Sequence, residues 1–275
     1  MECWSDGCDG TRYAQHSSTP SLHYSNTPNE EPDRAMRTVK WEELLPKEFE
    51  AAIAECPVCY LPFGTLERHG SHLPFGQDAM KVHGLCVRAA EKHGGVVAPP
   101  LHWGTHGNVF QEDYKRGTPT EQRPTAKQPP GSVYITEGVL MALALEMFRE
   151  VEYAGFKVIV ALTGHYPDVQ VHALRNAARQ FMSTSAVKVW ALPEYELSGE
   201  VEVGRDHAGK WETSLFWSLY PDLVDMSRLP DPDTGKYLWT NPAAHEASRE
   251  LGDRLVQYIA DELGRRTREL LADAG

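Results

Sequence analysis

The run from Lys157 to Leu162 (KVIVAL) is the feature that most limits what this chain can fold into. Every residue of the run after the lysine is apolar, and a strand without polar alternation has to be covered on both faces. Strands of this kind occur in parallel sheets that have helices on either side. We therefore predict an α/β fold, a three-layer sandwich with a mostly parallel central sheet flanked by helices.

The other predicted elements alternate along the chain, as such a fold requires. Strands are predicted at residues 58–63, 96–98, 157–162 and 187–192. Helices are predicted at residues 78–93, 133–153 and 243–271, and a further helix is expected to follow residue 168 and to end at Met182. The last helix carries apolar residues at four-residue intervals, a stripe that packs against the domain or a neighbouring subunit.

Residues 1–36 differ in composition from the rest of the chain. They are rich in Ser, Thr, Pro, Asn and acidic residues and have almost no periodic apolar pattern. A segment of this kind cannot bury enough apolar surface to offset the entropy lost on ordering. We predict a disordered N-terminal tail at 1–36 and one folded domain at 37–275.

The net charge and the lengths of the apolar runs limit the kinds of partner that the chain is expected to bind. The formal net charge is -12, which disfavours nucleic acid, because binding to phosphate backbones relies on Lys and Arg. No run approaches the roughly 18 to 20 apolar residues that cross a bilayer, and the N-terminal residues MECWSDGCDG have neither a basic start nor an apolar stretch. The sequence predicts a cytoplasmic protein with a small-molecule substrate, no nucleic-acid partner and no membrane association.

The chain has five cysteines, an odd number in a sequence without a secretion signal, which argues against a disulfide framework. Cys56 and Cys59 have C-x-x-C spacing, but no second pair follows to complete a four-thiolate zinc site. We expect them to pack at the start of a strand. The alternative is a redox function for this pair.

Acidic and histidine side chains are concentrated where the predicted strands end. Glu67 and His69 follow the first strand, Asp78 begins the next helix, and His165 follows the KVIVAL run. Mixed carboxylate and imidazole ligands suit zinc, manganese or iron. The carboxyl ends of parallel strands meet at one edge of a sheet, so these residues are expected to converge there.

Three segments resemble the sequence blocks of the creatininase family. They are LPFGTLERHGSHLPFGQDAM, LTGHYPD and DHAGKWETSLFWSLYPDLVDM, and they occur in the order and at the spacing of that family. The resemblance extends from about residue 38 to about residue 265. It implies that residues 37–275 form a creatininase-like metal hydrolase domain, with one or two divalent metal ions (Zn, Mn or Fe) per chain.

The resemblance also assigns expected roles. The implied metal ligands are Glu67, His69, Asp78 and His165. The implied catalytic residues are His207, which would pass a proton to the leaving nitrogen, Asp206 and Glu212. The implied substrate contacts are Tyr166 and His106, and Trp211 is a further candidate because its ring could form a wall of the pocket. Family resemblance further implies a homo-oligomer, a hexamer built from dimers.

One position departs from the family pattern. Creatininase has a metal-binding Glu two residues after the histidine of its second block, and this chain has Pro167 there. Proline cannot bind a metal, so Asp168 or Glu212 replaces the missing ligand, or only one ion binds tightly. The expected reaction is hydrolysis of a C–N bond in a cyclic amide or formamide. The alternatives are ring-opening C–C hydrolysis of a keto-inositol or keto-sugar, and a non-catalytic binding module with an incomplete metal site.

Overall fold

The computed structural model describes residues 38–106, 131–197, 203–231 and 240–274, so the predicted tail at 1–36 lies outside the described residues. The strands are β1 (Val58–Phe63), β2 (Val96–Val97), β3 (Gly104–Thr105), β4 (Tyr134–Ile135), β5 (Val158–Thr163) and β6 (Lys188–Pro193). The α-helices are α1 (Pro46–Glu55), α2 (Gln77–His93), α3 (Glu137–Tyr153), α4 (Asp168–Met182), α5 (Lys210–Leu219) and α6 (Arg249–Ala272). None of the helices in these ranges has both the length and the apolar character needed to cross a membrane.

Four strands form a parallel central sheet in the order β2-β1-β5-β6. The KVIVAL run supplies β5, which lies between β1 and β6 and is buried along its whole length. A second, two-stranded sheet pairs β3 with β4 in parallel. The prediction of an α/β fold with a mostly parallel sheet is confirmed.

Each face of the central sheet carries its own hydrophobic core. Successive residues of a strand point to opposite faces, so Ile159 packs with α3 and α4 while Val160 packs with α2 and α6. The first core contains Leu140, Phe148 and Leu174, and the second contains Val82, Leu85, Leu255 and Ile259. Helices thus cover both faces, which is the three-layer arrangement expected from an apolar β5.

Two predicted helices begin later than expected. The helix predicted at 133–153 begins at Glu137, because Tyr134 and Ile135 pair with β3 instead. The helix predicted at 243–271 begins at Arg249, where the Ser248 hydroxyl caps the first turn by accepting a hydrogen bond from the amide of Leu251. Residues Pro242–Glu246 form a separate 3-10 helix. Both errors lie at helix starts, where apolar periodicity gives the least information.

Cys56 and Cys59 lie at the first strand, as expected. Cys59 is fully buried in β1, and Cys56 is half-buried, with its Sγ 4.0 Å from the carbonyl oxygen of His93. Burial raises the pKa of both thiols, and this suppresses the reactive thiolate form.

Replacing both residues in the variant Cys56→Ala/Cys59→Ala is therefore expected to leave the catalytic rate unchanged. A rate assay of the double variant beside the wild type checks this. Loss of activity in a variant that keeps its metal content would support the redox alternative instead.

Candidate metal centre

The predicted metal ligands come from the loops that follow two neighbouring strands. Glu67 and His69 lie in the extended loop after β1, and Asp78 lies in the first turn of α2. His165 follows β5. Gly164 packs against the backbone carbonyl of Asp78, where a Cβ atom would collide, so the absence of a side chain lets the end of β5 approach α2. The four residues therefore meet at the carboxyl edge of the sheet.

The distances within this group are short. Nε2 of His69 is 2.9 Å from Oδ1 of Asp78, and Nδ1 of His165 is 3.2 Å from Oδ2 of Asp78 and 3.0 Å from Oε1 of Glu67. His69, Asp78 and His165 are each at most 4% exposed. All four predicted ligands are thus brought together, although the binding of a metal by them remains a prediction.

Each histidine is oriented by a backbone carbonyl. Nδ1 of His69 lies 3.2 Å from the carbonyl oxygen of Glu67, and Nε2 of His165 lies 2.7 Å from that of Thr105. A carbonyl can only accept a hydrogen bond, so these nitrogens carry the protons. The opposite nitrogens, which face the carboxylates, are left as the potential ligand atoms. Metal-binding histidines usually have this second partner, which fixes the ring and its tautomer.

Glu212 joins the group from the first turn of α5. Its Oε2 accepts a hydrogen bond of 2.7 Å from the amide of Ala208 and lies 3.7 Å from Nε2 of His69. Asp168, the other candidate for the ligand lost at Pro167, faces Arg205 at 3.3 Å, and its side chain is 60% exposed. The structure therefore brings Glu212 into the cluster and leaves Asp168 outside it.

The side chains form overlapping sets that could each hold a cation. One set is Glu67, Asp78 and His165, another is His69, Asp78 and Glu212, and a third is Glu67, His69 and His207. Asp78 belongs to the first two sets and turns one oxygen toward each histidine. This arrangement fits a carboxylate that bridges two divalent ions.

The electrostatics of the group also fit a cation. Burial lowers the pKa of His69, but Asp78 and Glu212 outweigh it and raise the pKa to about 9. Burial likewise opposes the charge on His165, and Glu67 and Asp78 nevertheless raise its pKa well above the usual value. Among the described residues, Nε2 of His69 and Oδ2 of Asp78 lie close to opposite charges without making a well-aligned hydrogen bond. Protons thus balance the carboxylates, and metal binding to such sites displaces protons.

His207 lies at the solvent side of the cluster. Its ring centre is 4.5 Å from that of His69, and its side chain is 44% exposed. Nε2 lies 3.0 Å from the carbonyl oxygen of Arg68, so it carries the proton, and Nδ1 lies 3.7 Å from Oε1 of Glu67. This placement is compatible with the predicted transfer of a proton to a leaving group, and the third possible metal set also includes His207.

Two other predicted residues are engaged inside the protein. The carboxylate of Asp206 accepts hydrogen bonds from the amides of Trp211 and Glu212, at 2.8 and 3.2 Å, and so holds the start of α5. The Tyr166 hydroxyl lies 2.7 Å from both Oε1 of Glu212 and the carbonyl oxygen of Asp206. The structure thus gives both residues a part in positioning Glu212, while their catalytic and substrate-binding roles remain predictions.

The remaining predicted substrate contacts are His106 and Trp211. The His106 ring is buried and stacks on Tyr134, with 4.0 Å between ring centres. The half-buried indole of Trp211 packs over Gly204, in the space that a Cβ atom would occupy, and the Lys210 ammonium lies 5.1 Å from its ring centre. Whether His106 and Trp211 contact a substrate remains a prediction.

Three residues of the centre were missed in the sequence. The Tyr134 hydroxyl donates a hydrogen bond of 2.7 Å to Oε2 of Glu67, but Tyr134 lies in a segment predicted as helix. Lys81 and Glu194 form a buried ion pair behind Glu212. The only available signal for Lys81 was its position three residues after Asp78, which places both on one side of α2.

Comparison with known proteins agrees with this geometry. Residues 42–266 match the family model described as "Creatininase: Creatinine amidohydrolase". The chain belongs to the creatininase family. This is a family of metal-dependent hydrolases, and the prediction of a hydrolase is confirmed.

Relatives within the creatininase family differ in the activity that their names state. Creatinine amidohydrolase of Pseudomonas putida is 29% identical over 262 residues, which cover 80% of this chain and 94% of that protein. The 3-dehydro-scyllo-inosose hydrolase of Thermotoga maritima is 21% identical over 209 residues, covering 73% of this chain and 62% of that protein. A solved structure of a creatininase mutant of Zn-Zn type is 28% identical, covers 85% of this chain and 98% of its own, and superposes with a TM-score of 0.63.

Proposed function

We propose that this chain uses two divalent cations to hydrolyse a C–N bond in a cyclic amide or formamide of a small polar compound. The observation that carries the proposal is the convergence of Glu67, His69, Asp78, His165 and Glu212 at one edge of the sheet, with both histidines oriented by carbonyl groups. One cation position is bounded by Glu67, Asp78 and His165, and the other by His69, Asp78 and Glu212. The Zn-Zn relative supports zinc, with manganese and iron as the other candidates.

The residues around these cation positions have different roles in the proposed reaction. Divalent cations held by these residues would lower the pKa of bound water and polarise a carbonyl oxygen. Attack by water forms a C–O bond at the carbonyl carbon, and the C–N bond then breaks. We assign to Nδ1 of His207, which faces the cluster, the transfer of the proton that the attacking water gives up to the departing nitrogen. The proposed substrate contacts are Tyr166, His106 and Trp211. Asp206 fixes the start of α5 by accepting hydrogen bonds from its amides, and Glu212, which projects from this turn, would hold a cation.

A metal-reconstituted activity screen tests the proposal. The purified chain is stripped of metal, reloaded with Zn²⁺, Mn²⁺ or Fe²⁺, and assayed on cyclic amides, formamides and keto-inositols. We expect release of a ring-opened acid, ammonia or formate from the first two classes. A chain that binds less than about one ion, with binding unaffected by Glu67→Gln or His165→Ala, would instead favour the non-catalytic binding module.

A second candidate reaction is ring-opening C–C hydrolysis of a keto-inositol or keto-sugar. The observation in its favour is the similarity to the inosose hydrolase of Thermotoga maritima. The same metal centre could polarise a ketone instead of an amide carbonyl. If the screen shows turnover of keto-inositols only, C–C hydrolysis is the reaction of this chain and the C–N proposal is wrong.

Replacing the carboxylate of Glu212 with an amide tests the cation position formed by His69, Asp78 and Glu212. Glu212→Gln is expected to leave one tightly bound ion per chain, because a neutral amide is a poor ligand, and to lower activity by about a hundredfold. Metal content after dialysis and the steady-state rate measure both effects. Asp168→Asn is the matched control and is expected to retain both ions, since its side chain faces Arg205 outside the cluster. The reverse pattern would identify Asp168 as the replacement ligand.

We also propose a cytoplasmic location and a homo-oligomer, a hexamer built from dimers. The acidic net charge of -12 supports a small-molecule substrate rather than a nucleic acid. The family resemblance supports the oligomer. Sedimentation of the purified chain would measure its state.

A further inference from the structure

A lysine is completely buried behind the metal centre. Lys81 lies on α2, one turn after Asp78, and its side chain is 0% exposed. Lysine is almost never fully buried unless its charge is paired. Its Nζ lies 2.8 Å from Oε1 of Glu212 and forms a second ion pair with Glu194. Nothing in the proposed reaction uses Lys81 directly, so its burial needs another explanation.

The contacts of Lys81 give the two oxygens of Glu212 different surroundings. Oε1 lies 2.8 Å from Nζ of Lys81 and 2.7 Å from the Tyr166 hydroxyl. Oε2 accepts the amide of Ala208 and is the oxygen that faces His69. Because Oε1 is held by two donors on one side, Oε2 is directed toward the cation position. Lys81 thus fixes the orientation of a candidate ligand without reaching the cation position itself.

Glu194 supplies the countercharge. It follows the last residue of β6, is 2% exposed, and its Oε2 has no hydrogen-bond partner among the described residues. Burial raises the pKa of Glu194 to about 7, although Lys81 opposes this shift. Without Glu194, the charge of Lys81 would be balanced only by Glu212, and this would weaken the attraction of the Glu212 carboxylate for a cation in the low-dielectric interior. When Glu194 is ionised, Lys81 and Glu194 together add no net charge.

We propose that Lys81 and Glu194 are positioning residues that hold Glu212 in place for the cation position formed by His69, Asp78 and Glu212. Lys81 orients the carboxylate, and Glu194 cancels the charge of Lys81 so that a second divalent ion is not repelled. The inference rests on the proposed two-cation function of the same site.

The experiment compares Glu194→Gln with the wild-type chain in a metal titration. Metal-free protein is titrated with Zn²⁺ against a competing chelator, and the two affinities are fitted separately. We expect the second ion to bind about 10- to 100-fold more weakly in the variant, and the first ion to be little affected. Glu196→Gln is the matched control, since Glu196 lies in the same 3-10 helix but pairs with Arg175 at the surface. The control is expected to bind both ions as the wild type does.

The double variant Lys81→Met/Glu194→Gln separates charge from orientation. It restores the net charge of the wild type but removes the donor that orients Glu212, so we expect an affinity for the second ion between that of Glu194→Gln and that of the wild type. If both variants bind the two Zn²⁺ ions as tightly as the wild type and differ only in a lower melting temperature, Lys81 and Glu194 have a structural role and the inference is overturned. A wild-type chain that binds fewer than two ions would overturn the two-cation function, and the inference with it.

Discussion

Replacing Asp78 with asparagine is expected to remove both cations and to lower activity by about a thousandfold. Asp78 is the one residue shared by both proposed cation positions, and it turns a different oxygen toward each histidine. An amide offers one neutral oxygen and cannot bridge two ions. A bound metal contributes several kcal/mol to stabilising the transition state, which corresponds to a rate factor of about a thousand. Mass spectrometric metal analysis and the steady-state rate measure the two effects.

Asp225→Asn is the control for this substitution. Asp225 is a surface aspartate that caps a 3-10 helix through Ser227 and also pairs with Arg228. The same chemical change there is expected to leave metal content and rate as in the wild type. An Asp78→Asn chain that still holds one ion tightly would show that the two positions do not depend on a common carboxylate.

The sequence predicted that the four candidate ligands lie at one edge of the sheet, whereas the order of the strands came from the structure. The apolar β5 run predicted a parallel sheet, and the carboxyl ends of such strands meet at one edge. Glu67 and His165 follow adjacent strands, so their proximity at 3.0 Å is a consequence of strand order β1-β5. The roles of Asp206, His207 and Tyr166 came from family resemblance and remain predictions.

The replacement of the missing ligand could not be chosen from the sequence. Asp168 is next to Pro167 and is the nearer candidate along the chain, but it begins α4 with its side chain turned to Arg205. Glu212 reaches the cluster because Asp206 holds the start of α5 in place. Side-chain direction at a helix start depends on how the helix packs, and a motif does not record this.

Tyr134 and Lys81 escaped detection for different physical reasons. Tyr134 sits beside a helical apolar pattern, and its strand forms only by pairing with distant residues of β3. Lysines on helices normally face solvent, and the burial of Lys81 becomes reasonable only when Glu194 and Glu212 are seen to surround it. Both positions are therefore set by tertiary contacts and not by local sequence.

His207→Asn is expected to lower kcat by 10²- to 10⁴-fold, roughly the contribution of a positioned general acid or base, while both cations stay bound. The imidazole presents Nδ1 to the cluster and uses Nε2 to hold the Arg68 carbonyl. The asparagine amide lies near the position of Nδ1 but cannot transfer a proton there. Rate measurements and metal analysis of the same preparation check both parts. His172→Asn, at an exposed position on α4, is the control and should match the wild type.

Substrates with different leaving groups distinguish two explanations for a slow His207→Asn variant. If His207 protonates the departing nitrogen, the deficit should shrink on amides whose nitrogen leaves as a weak base, because such a group needs little help from an acid. Since His207 also belongs to a possible metal set with Glu67 and His69, the competing explanation is that it binds a cation. In that case the variant would lose metal, and its deficit would be equally large for every leaving group. If the variant keeps its metal and its loss of rate depends on the leaving group, proton transfer is the function of His207.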